Sequence, residues 1–445
     1  MLIARIKIKW RHPAMAMKKV PLIDVAGVPA LVRGYAFVLA GNGAAGLLSF
    51  LIFVLLSRDM SLEGFGSFAL FFTVMTLVWQ IPAFIDSSYV RYARTAPPAG
   101  ARAYLRVDLA DKIKAVAWIG GLSPAAAFAL SRWAFPGKTT FGLLVLAVAG
   151  GACLTFLASV IADLQAREAF AGYALGTVSF YAVALAVLFV MARRAGPLDP
   201  AAAGMVLAAA AVLAGGVALV WLARRARPIF PLDPEAAGRM RSLGKWILAT
   251  SLLYVVLQRI DMLVVGHVFP AADVGVYSAA SRLLSALTVF LSAASALYLP
   301  KAALAVVSRR ALQSYGRQAA ALTAFLLVVL AGLVVVAPFL VAVFFGPAFA
   351  GSAAATRALF LGHVPLVLAL PLSYLLYGLE DSFSNFLAMA FCLAANIAAN
   401  ALLTPKLGIV GPGWAFGVGY AVYLAAVVAA LFLRKTNRVR LAGLV

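Results

Sequence analysis

The chain has 445 residues, of which 64% are hydrophobic and 12% charged, with a net charge of +22 and a mean hydropathy of +1.01. A soluble globular domain carries about 25% charged residues, so that class is excluded, and the continuous rather than alternating apolar runs exclude an outer-membrane barrel. The basic residues fall in short gaps between apolar runs, with no recognition module beside them; this excludes nucleic acid as a partner and points to membrane orientation and anionic lipid contacts.

Residues 1–33 read as a basic cytoplasmic arm. Its alternation Ile6-Lys7-Ile8-Lys9-Trp10 suits a membrane surface and a disordered arm equally. The first apolar run starts only near Gly34 and is too long for a signal-peptide core. Twelve runs can each cross a hydrocarbon core of about 30 Å. They lie near 34–57, 64–90, 115–133, 140–163, 171–192, 201–222, 246–269, 275–298, 319–345, 358–378, 384–404 and 411–433. An all-α polytopic membrane protein follows. The basic, proline-bearing gap 223–245 divides an N-lobe (34–222) from a C-lobe (246–433), and 434–445 forms a basic tail.

An even number of spans puts both termini on one side. Of the 37 Lys and Arg, 28 fall in the terminal segments and the gaps on that side, 7 fall in the alternate gaps, and the last two are Arg259 and Arg282. The positive-inside rule makes the termini cytoplasmic. An echo links the halves: FGSFAL at 65–70 and VGVYSA at 274–279 each open an inward-running span, at an offset of 209 residues. Six spans separate them, so the two lobes run parallel around an axis along the membrane normal and flank a central cavity.

The stretch LLYVVLQRIDMLVVGHVF (252–269) holds charges inside span seven. A charge near the bilayer centre costs at least roughly 2.5–3.5 kcal/mol and normally faces a bundle interior or a watery cavity. On a continuous helix Asp261 lies at nearly the same depth as Arg282 of span eight, and Gln258, three residues before Asp261, can support it. Two readings stand side by side. Asp261 and Arg282 form a buried pair while Arg259 snorkels; or Arg259 projects into the cavity as a fixed cation for an anionic ligand, whose phosphate suits the planar guanidinium fork. Arg282 suits either.

Asp86, Ser87, Ser88 and Arg91 end span two as an interfacial cap or as part of a cytoplasmic gate, and Asp86 is also a candidate for carrying a coupling ion. Asn42, in AGNGAAG, sits where glycines allow close helix packing. Asn396 and Asn400 share a face and are expected to bridge helices. His267 and His363 are isolated, Cys153 and Cys392 lie in apolar runs, and no metal-ligand spacing exists.

QRIDMLVVGHVFPAADVGVYSAASRL (258–283) resembles the seventh-span signature of bacterial oligosaccharide flippases of the Wzx type: Arg-x-Asp, a small apolar run ending in Gly, then Val-Gly-x-Tyr-x-x-Ala. NIAANALLTPKLGIVGPGWA (396–415) and LLSRDMSLEGFGSFALF (55–71) resemble two further parts of the family pattern. GPGWAFG departs from it, standing where the family has Gly-Ala-Ala. Those flippases belong to the multidrug/oligosaccharidyl-lipid/polysaccharide exporter superfamily. The resemblance implies two six-helix lobes, alternating access and a cationic cavity. It also implies a polyprenyl-diphosphate-linked glycan, flipped from the cytoplasmic to the periplasmic leaflet of the inner membrane. Arg259 and Asp261 match the signature's charged positions, Arg58 matches the arginine of the turn, and Arg282 follows the matched Tyr277 run.

The expected protein is therefore a monomeric, non-enzymatic flippase without a cofactor, coupled to H+, Na+ or the membrane potential. Its partners are a lipid-linked glycan, membrane lipids and polysaccharide polymerase or export machinery. A cation-coupled drug exporter of the same superfamily is the nearest alternative. A membrane-embedded glycosyltransferase or ligase is more distant, because the first outer turn offers only Asp59 and Glu63 as carboxylates.

Overall fold

Helix starts follow local chemistry in the computed structural model, which describes residues 28–434 apart from Phe84, Val307 and Glu380, with the side chains of 28–35, 242–251 and a few single residues outside that description. Readings placed on the terminal arm before Val28 and on the tail beyond Arg434 lie outside the described residues. Thr140, Asp199, Asp233, Ser308 and Asp381 each accept a backbone N–H of the first turn that follows, and Pro200 and Pro234 occupy a first-turn position that needs no N–H donor.

The described residues form fifteen α-helices. The first seven are α1 (Val28–Asp59), α2 (Leu62–Ala83), α3 (Asp86–Thr95), α4 (Pro98–Ala129), α5 (Phe141–Ala166), α6 (Phe170–Ala195) and α7 (Pro200–Ala226). The remainder are α8 (Pro234–Leu257), α9 (Ile260–Val268), α10 (Ala271–Ala305), α11 (Arg309–Phe344), α12 (Ser352–Gly362), α13 (Val364–Gly378), α14 (Ser382–Leu407) and α15 (Gly411–Phe432). Ten helical stretches are long and apolar enough to cross a membrane, and one of them, Ser382–Phe432, contains both α14 and α15. With α8 and α9 together making span seven, twelve spans form two six-helix lobes of a multi-pass membrane protein.

Three boundaries differ from the sequence expectation. The gap 91–114 is helical, because α4 starts at Pro98 and carries its charges into the lobe. Span seven is not continuous: α8 stops at Leu257, and Arg259 leaves helical geometry at φ −130° and ψ −12° before α9 begins. Span ten bends at His363, where Pro365 cannot donate to the turn before it.

The echo between the halves has a physical counterpart. A Cβ on Gly66 would lie 1.9 Å from Ala271 O and 3.0 Å from Gly275 N; one on Gly275 would lie 2.4 Å from Leu62 O and 3.2 Å from Gly66 N. Positions 62 and 66, shifted by the offset of 209 residues, are 271 and 275. Equivalent residues of the two lobes thus meet reciprocally, as a twofold axis between α2 and α10 requires. The contact lies at the predicted outer end of the molecule.

Candidate functional site

At the same end, polar side chains of each lobe reach the terminal carbonyls of helices in the other. Arg58, closing α1, donates from Nη2 to Val343 O (2.5 Å) and from Nε to Phe344 O (3.3 Å) at the end of α11. His267, closing α9, contacts Ala134 O through Nδ1 at 3.0 Å. Residue 267 is 58 displaced by the same offset, and 343 is 134 so displaced, so the two contacts are symmetry equivalents. Lys138 adds bonds to Gly266 O and His267 O, both 2.7 Å. Burial alone pushes its ammonium below the ordinary lysine range, so those two carbonyls are what make the charge tolerable there. Helix C-termini carry unpaired carbonyls and partial negative charge, and a cation is their natural cap. Arg58 therefore belongs to the outer closure and not to the cavity, contrary to the expectation from sequence.

Between the lobes, a cavity of about 250 Å³ is lined by Asn42 and Ser49 of α1, Trp79 of α2, Tyr181 of α6, and Arg282 and Ser285 of α10. It adjoins a groove of about 640 Å³ between α1, α10 and α11 that is largely apolar and shares Asn42, Phe50, Arg282 and Ser285. Asn42 accepts a hydrogen bond from Tyr173 and stays exposed to this space. Arg282 does not pair with Asp261. Its guanidinium carbon stands 3.5 Å from the Phe53 ring centroid and 4.6 Å from that of Phe72, an electrostatic attraction of cation to ring face. Asp261 instead accepts from Tyr277 and lies in the field of Arg259. Gln258 donates to the Tyr254 hydroxyl (2.8 Å) and does not support Asp261. The break at Gln258–Arg259 removes the helical register that would have put Gln258 beneath Asp261; Asp261 and Arg282 stay apart because each has another partner, Tyr277 for the carboxylate and the Phe53 and Phe72 rings for the guanidinium.

Arg259 sits at that break, within electrostatic range of the Arg282 guanidinium. The Nε atoms of Arg259 and Arg282 and the indole Nε1 of Trp79 are all buried without a hydrogen-bond acceptor. Buried donors are ordinarily satisfied, so each orphan calls for an explanation. Arg282 and Trp79 line the cavity, whereas Arg259, expected from sequence to project into it, sits at the break and is not among its lining residues. Trp79 was not singled out from sequence, since one tryptophan in an apolar span gives no signal of its own.

A second polar cluster lies on the predicted cytoplasmic side of the first lobe. Lys112 of α4 is fully buried and bonds Asp86 of α3 and Ser159 of α5, with Asp108 Oδ2 at 3.4 Å. Ser159 in turn donates to Asp108 Oδ2 at 3.0 Å. Asp86 is thus tied into a buried ion pair; it is not an interfacial cap. The Arg91 and Ser87 side chains lie outside the described residues. Asn396 and Asn400 bond each other along α14 and, among the described residues, make no hydrogen bond to another helix. His363 bonds Leu359 O and packs against Phe416 and Tyr420, as a satisfied core histidine does.

The family model described as "Polysaccharide biosynthesis protein" matches residues 139–354, just under half of the chain and including the span-seven signature. Comparison with curated protein sequences gives no match. Among solved structures, the chain is similar to the lipid II flippase MurJ in an inward closed conformation, with a TM-score of 0.71 at 12% identity over 91% of this chain and 90% of that one. A MATE-family multidrug resistance transporter of the MOP superfamily, inward-facing, gives 0.70 at 15% identity over 90% and 95%. An outward-facing MATE-family structure gives 0.64 at 15% identity over 93% and 96%. The fold is that of these two-lobed transporters, and the resemblance to flippases of the polysaccharide type stands.

Proposed function

We propose that the chain flips a polyprenyl-diphosphate-linked oligosaccharide from the cytoplasmic to the periplasmic leaflet of the bacterial inner membrane by alternating access. The observation that carries this reading is the pair of acceptor-free donors lining the interlobe cavity, Arg282 and Trp79, with the buried Arg259 adding positive charge beside Arg282. A diphosphate and its sugars cannot shed their hydration in hydrocarbon uncompensated, at a cost of roughly 2–7 kcal/mol per unpaired polar group. The Arg282 guanidinium supplies charge-assisted bonds to phosphate oxygens, with Arg259 adding positive field nearby, and Asn42, Ser49 and Ser285 offer neutral partners to sugar hydroxyls. The adjoining apolar groove lets a lipid tail remain in the membrane while its head occupies the cavity.

On this reading the chain works as a monomer with cytoplasmic termini, and hands its product to a polymerase. The family match to polysaccharide biosynthesis supports it, as does the flippase named among the structural likenesses.

The test is lipid-linked glycan distribution in a deletion strain that also lacks related flippases. Accumulation on the cytoplasmic leaflet with loss of surface polymer is the expected outcome. Normal distribution and normal polymer would sink the proposal. A second reading, export of small cationic drugs coupled to an ion, draws on the MATE-type fold. It predicts altered drug susceptibility with unchanged glycan pools.

A further inference from the structure

The first lobe carries a second apolar groove, on its outer surface and distinct from the interlobe cavity. α6 leans on α1 and α7 on α5, and the parting between α6 and α7 exposes Leu157 and Val160 of α5 as a floor, with Phe180 and Val183 of α6 as a wall. Two adjoining volumes of about 380 and 760 Å³ share Leu213, Val217 and Trp221. The rim on α7 is one stripe: Leu213 (65% exposed), Val217 (64%), Val220 (52%), then Arg224. The spacings of four, three and four residues put these side chains on one helix face. From Leu213 to Arg224 the helix rises about 16 Å at 1.5 Å per residue, the depth of one leaflet of a core about 30 Å thick.

The groove ends in cations on the predicted cytoplasmic side. The Arg225 guanidinium stands 4.6 Å from the Trp221 ring and 3.8 Å from Asp163. Asp163 is buried and already engaged by Arg167 (2.9 Å) and the Tyr89 hydroxyl (2.6 Å), so it neutralises little beyond Arg167. Glu168 is the other acid on the adjoining turn. Arg224 is exposed and has no ion pair among the described residues.

We propose that this groove binds an anionic glycerophospholipid of the cytoplasmic leaflet, with an acyl chain along the Leu213–Val217–Val220 stripe and the phosphate on Arg224 and Arg225. Basic pockets between helices on the cytoplasmic side are where such headgroups bind. A zwitterionic choline headgroup would bring its own cation beside Arg224 and lose the advantage. The groove shares no lining residue with the interlobe cavity and is independent of what the cavity carries.

The experiment uses the purified full chain in detergent and reads lipid binding by native mass spectrometry. Phosphatidylglycerol and phosphatidylcholine of identical acyl chains are compared. The parent should prefer phosphatidylglycerol. An arginine at the membrane surface contributes about fivefold in affinity, so R224Q/R225Q should lose about 25-fold for phosphatidylglycerol and nothing for phosphatidylcholine. R309Q/R310Q, at the exposed start of α11, should keep the preference. Glycerol phosphate without acyl chains should not compete. Equal binding of the two lipids by the parent would overturn the proposal, and so would a preference that survives R224Q/R225Q or effective competition by glycerol phosphate. Should the double variant not fold, R224Q alone removes an unpaired exposed side chain and should lose about fivefold.

Discussion

Trp79 and Arg282 are separable at the level of single atoms. Trp79→Phe removes the indole N–H and keeps an aromatic ring in the span, so folding should survive while substrate binding weakens. A hydrogen bond to a charged group contributes about 1.5–3 kcal/mol, so transport by Trp79→Phe at limiting substrate should fall about 10- to 100-fold, read by flipping of labelled lipid-linked glycan in proteoliposomes. Arg282→Gln and Arg259→Gln should each fall further with the protein still folded, because among the described residues neither guanidinium forms a salt bridge, and Arg282→Gln gives up only its contact with the Phe53 and Phe72 rings. Lys112→Met has the opposite signature. It leaves Asp86 and Asp108 facing each other without their cation, and breaking a buried pair costs about 3–5 kcal/mol; lost expression and a lowered melting temperature should result, partly restored by adding Asp108→Asn. A Lys112→Met protein as stable as the parent would remove the cluster from the account of stability. Arg259 and Arg282 were legible in sequence because a charge inside an apolar run is itself the signal. Asp86 was singled out as a cap, gate or coupling residue but its buried ion pair was not legible, nor were Asp108 and Lys112, because residues next to a basic gap look solvated.

At the scale of elements, apolar runs located the hydrocarbon-crossing part of each helix but not its length, which is why α4 begins well before the run that marks span three. The break between α8 and α9 had no signal, since Gln258 and Arg259 are neither glycine nor proline. Discontinuous spans place unwound backbone and side chains near a transporter's midplane site, and on the proposed function Arg259, the residue at the break, takes that place. The outer closure depends on helix ends. Arg58 and Lys138 cap carbonyls of α11 and α9 across the lobe interface, so Arg58→Gln with Lys138→Gln should weaken closure without touching the cavity. Each charge at a helix C-terminus contributes about 0.3–1 kcal/mol, and up to about 2 kcal/mol when partly buried. The pair should raise the population open at the outer end severalfold, measurable as faster labelling of a cysteine placed at Phe65. Gly66→Ala should do more, because its Cβ would stand 1.9 Å from Ala271 O and only separation of α2 from α10 relieves that overlap. Labelling unchanged in both variants would mean that the closure rests on other contacts.

For the whole molecule, the reciprocal contacts make the closed outer end an interface between two equivalent halves. The offset that relates FGSFAL to VGVYSA also relates Leu62 to Ala271, Gly66 to Gly275, Arg58 to His267 and Ala134 to Val343. Such an interface opens by rotation of one half against the other about its own axis, and its contacts are lost together because each residue's partner is the equivalent of its neighbour's. The asymmetry lies in chemistry: Arg58 donates to two carbonyls at the end of α11, whereas the equivalent position holds a histidine on a single carbonyl. A cross-link on the weaker side should therefore be enough to stop the cycle. A134C/H267C, oxidised in a background with Cys153 and Cys392 replaced by alanine, should hold the outer end shut and abolish flipping, and a reductant should restore it. Labelled substrate should still bind the cross-linked protein from the cytoplasmic side, since Arg259, Arg282 and Trp79 keep their places. Cross-linking that is complete and leaves transport at the reduced protein's rate would mean that the halves do not part along this interface, and the release route would have to be sought through the groove between α1, α10 and α11.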